Sequence, residues 1–122
     1  MHATPKELPV KFAAGEAVIR ASDWGDLRAL FISLPAGTDA TPLLQGLPGN
    51  LCQCPHWGYV RAGRLRVSYA DRTETLDAGD LYYMPSGHTI AAEEDVELIE
   101  FSPPQGYDEV LAVLYQNAAK SG

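Results

Sequence analysis

The sequence predicts a mainly β domain, a sandwich or small barrel of antiparallel strands with one helix at the C-terminal end. Three observations carry this. Short runs alternate apolar with polar residues, turn signals separate those runs at intervals of about 8 to 12 residues, and only the final segment changes to helical spacing. At 122 residues with 46% hydrophobic content, the chain is long enough for one domain with its own core.

Residues 1–15 are polar, contain Pro5 and Pro9, and read as an N-terminal arm. Residues 16–122 read as a single domain. Leu27 to Leu34 is rich in β-prone residues. Residues 35–50 hold Pro35, Gly37, Pro42, Gly46, Pro48 and Gly49, a long loop of the kind that is often functional. Leu51 to Ala62 reads as a strand whose even face carries Cys52, Cys54, His56, Gly58 and Val60. Leu65, Val67 and Tyr69 alternate with Arg64, Arg66 and Ser68. Val96, Leu98 and Glu100 alternate with Glu97, Ile99 and Phe101. Turn signals fall at Ala62-Gly63, Asp71-Arg72, Ala78-Gly79-Asp80 and Pro85-Ser86-Gly87. Val110, Leu111, Leu114 and Ala118 follow helical spacing, which predicts a helix over 106–119 with Asp108 and Glu109 near its start.

Formal net charge is -7, with 16 acidic and 9 basic residues. That balance argues against nucleic acid and anionic membrane as partners, since both are recognised by basic patches. No apolar run approaches the roughly 18 residues of a membrane span. Met1 to Phe12 lacks the apolar core of a secretory leader, so a cytoplasmic protein with reduced thiols is expected. Two residues along a strand span about 6.6 Å. That lies at the upper edge of the roughly 4.4–6.8 Å that disulfides bridge, so a metal site or free thiols are expected at Cys52 and Cys54.

The chain has two cysteines and three histidines, and all but His2 fall near one place. Cys52, Cys54 and His56 share a strand face, and His88 follows the Pro85-Ser86-Gly87 turn. Two sulfurs and two imidazoles form a plausible transition-metal set. The plain alternative is that buried cysteines pack as inert apolar groups. Trp57 and Tyr59 on the opposite face read either as residues covered by a second layer or as a dimer interface. One of Tyr82 and Tyr83 should face the interior. Glu100 reads either as inward and a base or, the preferred reading, as outward and solvated, and Ala92-Glu93-Glu94-Asp95 is expected to form a solvated turn.

The stretch His56-Trp57-Gly58-Tyr59-Val60-Arg61-Ala62-Gly63-Arg64-Leu65 resembles the end of the first cupin motif. Gly79-Asp80-Leu81-Tyr82-Tyr83-Met84-Pro85-Ser86-Gly87-His88 resembles the second, with its Gly-Asp start and Pro-x-Gly turn. The resemblance covers roughly residues 27 to 103. It implies an antiparallel double-stranded β-helix (the jelly-roll barrel), often dimeric. It also implies a divalent metal held by two His and a Glu of motif one and a His of motif two. This sequence departs from that set. His56 stands where the Glu usually does, Cys52 where the second His does, and Asn50 where the first does. Ile90 occupies the usual place of the motif-two His, and His88 keeps its strand parity.

Sulfur and nitrogen donors favour Zn or Fe, with Cu possible, over Mg, Mn or Ca. Cys52, Cys54, His56 and His88 together would close a tetrahedron. If Cys54 stays off the metal, three ligands and an open position remain. The open form fits a metal-dependent enzyme on a small organic molecule, of dioxygenase, isomerase or decarboxylase type. The closed form fits a non-catalytic binding or sensory module with a structural zinc. A metal-free barrel binding a small-molecule ligand is the third reading. The residues alone do not decide whether the protein is an enzyme. A homodimer is the expected assembly.

Overall fold

The computed structural model describes residues 1–121. Strands β1 (Val10–Ala14), β2 (Ala17–Trp24) and β3 (Leu27–Leu34) form consecutive hairpins. The loop that follows holds 3-10 turns at Thr41–Leu44 and Pro48–Asn50. Then come β4 (His56–Ala62), β5 (Arg64–Tyr69), β6 (Thr73–Asp77), β7 (Leu81–Met84), β8 (His88–Ala92) and β9 (Val96–Ser102), and finally helix α1 (Pro104–Ser121).

Every strand pairing is antiparallel. A six-stranded sheet runs β1-β2-β3-β9-β4-β7 and a three-stranded sheet runs β6-β5-β8. Apolar side chains of both sheets form one core, in which Val60, Leu65, Val67 and Leu98 are completely buried. Truncating one such leucine to alanine costs about 2–5 kcal/mol. Among the described residues, no helix is long and apolar enough to cross a membrane.

Two glycines hold the frame together. Gly63 turns β4 into β5 at φ +85, where a Cβ would run into the Asp95 carbonyl. Gly58 lets β4 pass against Ile99 of β9 and the Tyr82 phenol, and a Cβ there would collide with both.

Three boundaries differ from the sequence reading. The arm is not irregular throughout. Its second half is β1, paired with β2 and burying Phe12. That strand sits at a sheet edge with one buried side chain, so its alternation was too faint to read. The strand expected from Leu51 begins at His56, because Pro55 has no N–H to give a ladder. The helix is longer than 106–119 and opens at Pro104, whose fixed φ suits a first turn.

Helix α1 lies across one end of the barrel. Asn117 Nδ2 donates to the carbonyls of Leu43 (2.7 Å) and Gln45 (2.9 Å), fastening the helix to the long loop. Phe12 meets Tyr115 edge-on at 5.3 Å. Buried Arg28 joins Asp23 and Asp108, each at 2.7 Å, so β3 also grips the first turns of the helix. The hydrogen bond from Arg28 holds the Asp23 carboxyl below its usual range.

Candidate metal centre

The segment between the long loop and β4 is not a strand, yet Cys52 is held in register. Its N–H donates to His88 O at 2.8 Å, and its own carbonyl accepts from Gly87 N at 2.8 Å. This isolated bridge sets Cys52 beside the first residue of β8. His56, first in β4, faces inward with the even face of its strand. Potential ligand atoms of Cys52, His56 and His88 lie within 4.8 Å of one another, and all three residues are buried.

The ring orientations suit metal binding through Nε2. His88 Nδ1 sits 2.8 Å from Pro85 O, an acceptor only, so that nitrogen carries the proton and Nε2 is left with its lone pair. His56 Nδ1 lies 2.7 Å from Ser102 Oγ, and its Nε2 is 3.6 Å from Cys52 Sγ. A tetrahedral zinc with Zn–S about 2.3 Å and Zn–N about 2.0 Å would set sulfur and nitrogen about 3.5 Å apart. The donor set therefore fits an ion without rearrangement of this pair.

Cys54 is buried but is not brought into this group. Its Sγ turns to the carbonyls of Pro55 (3.6 Å) and Pro103 (3.9 Å), under Gly106 of α1. The shared face expected for Cys54 required a strand through Pro55, and the chain is irregular there. Asn50 also lies away from the cluster, exposed, with φ 60 and its Oδ1 accepting from Gly46 N.

Glu100 corrects the sequence reading. It is 2% exposed and faces inward, not into solvent. Tyr82, the inward member of the Tyr82–Tyr83 pair, donates to Glu100 Oε1 at 2.8 Å. Glu100 Oε2 has no hydrogen-bond partner. It is 3.7 Å from His56 Nδ1, but the contact is not an ion pair at neutral pH. Burial lowers the pKa of His56 to about 4 and raises that of Glu100 to about 7. His88 is also pushed down to about 4 by burial and by neighbouring His56. Burial pushes the Cys52 and Cys54 thiols up to about 12. The signal for Glu100 was its parity with Val96 and Leu98, which outweighs the usual preference of a carboxylate for water.

These groups form one end of a cavity of about 100 Å³ inside the barrel. Ile19, Ile32, Leu34 and Leu44 line its sides, and Tyr107, Val110 and Leu114 of α1 close it. The Tyr107 ring packs edge-on to His56 at 5.5 Å. The sequence analysis predicts this helix but not its part in walling the cavity.

No model of a known protein family matches the sequence, and no curated protein does. Solved structures match in fold. A protein of unknown function from Rhizobium leguminosarum superposes with a TM-score of 0.63 at 20% identity, over 84% of this chain and 95% of that one. Oxalate decarboxylase from Bacillus subtilis gives 0.60 at 20% identity, over 84% of this chain but only 30% of its own. A cupin-2 domain protein from Shewanella frigidimarina gives 0.51 at 19%, over 70% of this chain and 78% of that one. With all strands antiparallel in two sheets around one core, and with these neighbours, the chain has the cupin fold.

Proposed function

We propose that Cys52, His56 and His88 hold one transition-metal ion, zinc or iron, in an open site, and that the barrel is a metal-dependent enzyme acting on a small organic molecule. The observation that carries this reading is the separation of the two cysteines. Three donors converge at the cavity, while Cys54 Sγ points to the Pro55 and Pro103 carbonyls instead of completing a closed tetrahedron. Three protein ligands with a free position are what metal catalysis requires.

A bound ion would supply Lewis acidity toward a substrate oxygen. The chain's own groups have separate tasks. Ser102 and the Pro85 carbonyl fix the two imidazoles with Nε2 toward the donor cluster. The apolar walls exclude water. Glu100 lines the cavity, has one buried oxygen without a hydrogen-bond partner, and can hold or release a proton near neutral pH. Oxygenase and isomerase chemistries both fit this set of parts.

Metal analysis of protein purified without a nickel column tests the reading. About one equivalent of zinc or iron is expected, lost in Cys52→Ser and His56→Ala. No metal, with full stability in chelator, would instead favour a metal-free ligand-binding barrel.

A homodimer belongs to the same proposal. Trp57, Tyr59, Leu81, Tyr83 and Phe101 stand exposed on the outer face of the larger sheet, and Trp57 stacks on Tyr83 at 5.3 Å. Neither α1 nor a second layer covers them, and aromatic residues of this kind are enriched at interfaces. Light scattering should give twice the 13.2 kDa chain mass, and Trp57→Lys with Tyr83→Lys should give the monomer.

A further inference from the structure

The cavity is one-sided in its chemistry. Ile19, Ile32, Leu34, Leu44, Val110 and Leu114 are among its walls, its ionisable groups gather at the Cys52–His56–His88–Glu100 end, and Thr38 and Thr89 add two hydroxyl side chains to the lining. No Lys or Arg lines it. Arg28, the buried cation nearby, is engaged by Asp23 and Asp108 and does not line the cavity. Glu100 is among the residues lining the cavity, and its Oε2 is buried with no hydrogen-bond partner. A buried oxygen of this kind costs free energy until a partner reaches it.

We propose that the cavity binds a small neutral alcohol, with an apolar body of about three or four carbon atoms and one hydroxyl placed against Glu100. The size follows from the volume: an apolar cavity of roughly 150 Å³ takes benzene, and this one is about 100 Å³. The neutral head follows from the charges. An anionic ligand would meet a carboxyl and a thiol with no cation to compensate it, and its desolvation would go unrepaid. The hydroxyl follows from the geometry at Oε2. A hydroxyl both donates and accepts, so it satisfies that oxygen whether or not it carries a proton. Oxalate, two carboxylates without an apolar body, is the wrong shape and charge for this chamber. The inference rests on reading this cavity as the substrate site, but it does not need a metal to be bound.

The test compares butan-1-ol, butanoate and oxalate by isothermal titration and saturation-transfer NMR. Each is measured with protein as purified and again after chelator treatment. Butan-1-ol is expected to bind in both states, at least tenfold tighter than butanoate in the chelator-treated protein, with no binding of oxalate there. Leu114→Phe, which fills the chamber, should abolish butan-1-ol binding. Glu100→Met should weaken it about tenfold and remove the preference over butanoate. Should Glu100→Met fail to fold, the wild-type comparison and Leu114→Phe decide the matter. Butanoate or oxalate binding as well as the alcohol in metal-free protein, or Leu114→Phe leaving affinity intact, would overturn the inference. Alcohol binding by a protein that takes up no metal would overturn the metal reading alone.

Discussion

Cys52 and Cys54 are two residues apart, both buried, both with thiols pushed up to about 12, and chemically they look interchangeable. Their surroundings differ. Cys52 is locked to β8 by backbone hydrogen bonds and has the Nε2 of His56 3.6 Å from its sulfur. Cys54 is wedged between the carbonyls of Pro55 and Pro103 and the backbone of α1. One sulfur faces the ring nitrogen of a histidine, while the other faces backbone carbonyls and no second Cys or His donor. Burial and residue type therefore do not separate the two cysteines. Convergence of Cys and His donor atoms does.

Four measurements would break or sharpen this contrast. The largest effect should come from Cys52→Ser and His88→Ala, each lowering metal affinity by more than the roughly 10–100-fold typical of outer-shell changes. Cys54→Ser should leave affinity within about threefold on the same scale. Equal losses at both cysteines, read by competition with a chromogenic chelator, would erase the distinction and restore the closed site. Next, Ser102→Ala removes the 2.7 Å partner of His56 Nδ1 and should cost about 10–100-fold in affinity with little change in melting temperature.

The third measurement is pH dependence. Without metal, the raised pKa keeps Cys52 protonated, so binding must displace that proton. Above pH 7 both imidazoles are already neutral, since burial holds them near 4. Affinity should therefore rise about tenfold per pH unit between roughly pH 7 and 9 through the single proton of Cys52. The slope should vanish in Cys52→Ser and persist in Cys54→Ser.

The smallest effect is at Gly106. A methyl there would sit 3.4 Å from Cys54 Sγ. Crowding opposes a helix-propensity gain of about 0.5–1 kcal/mol, so the melting temperature should move by only a few degrees. Metal content should not change. A large loss of metal in Gly106→Ala would show that Cys54 communicates with the ion after all.

How far the site was legible can be followed residue by residue. His56, Gly58 and Val60 alternate along β4 as their parity requires, because a strand's side chains are fixed by a period of two. The Gly79-Asp80 and Pro85-Ser86-Gly87 turns delimited β7 and placed His88 at the start of β8. Cys54 was misplaced when the strand rule was carried through Pro55, where no ladder exists to enforce it. Glu100 was misplaced because the preference of a charged side chain for water was set above the strand's own parity. What buries it is non-local: the Tyr82 hydroxyl from β7, and surroundings whose burial raises its pKa to about 7. The walls from α1 could not be read at all. Helical spacing identifies an apolar stripe, but the docking of Tyr107, Val110 and Leu114 depends on contacts such as Asn117 with Leu43 and Arg28 with Asp108, which link residues 74 and 80 positions apart.

Helix α1 follows all nine strands in the chain, and that order has a consequence for how the protein is made. During synthesis the strands can pair while α1 is still in the ribosome, leaving Cys52, His56 and His88 open to the surrounding solution. Docking of α1 then narrows access to them with Tyr107 and Leu114. An ion held as proposed would therefore enter most readily before α1 docks, and would exchange more slowly from the finished protein.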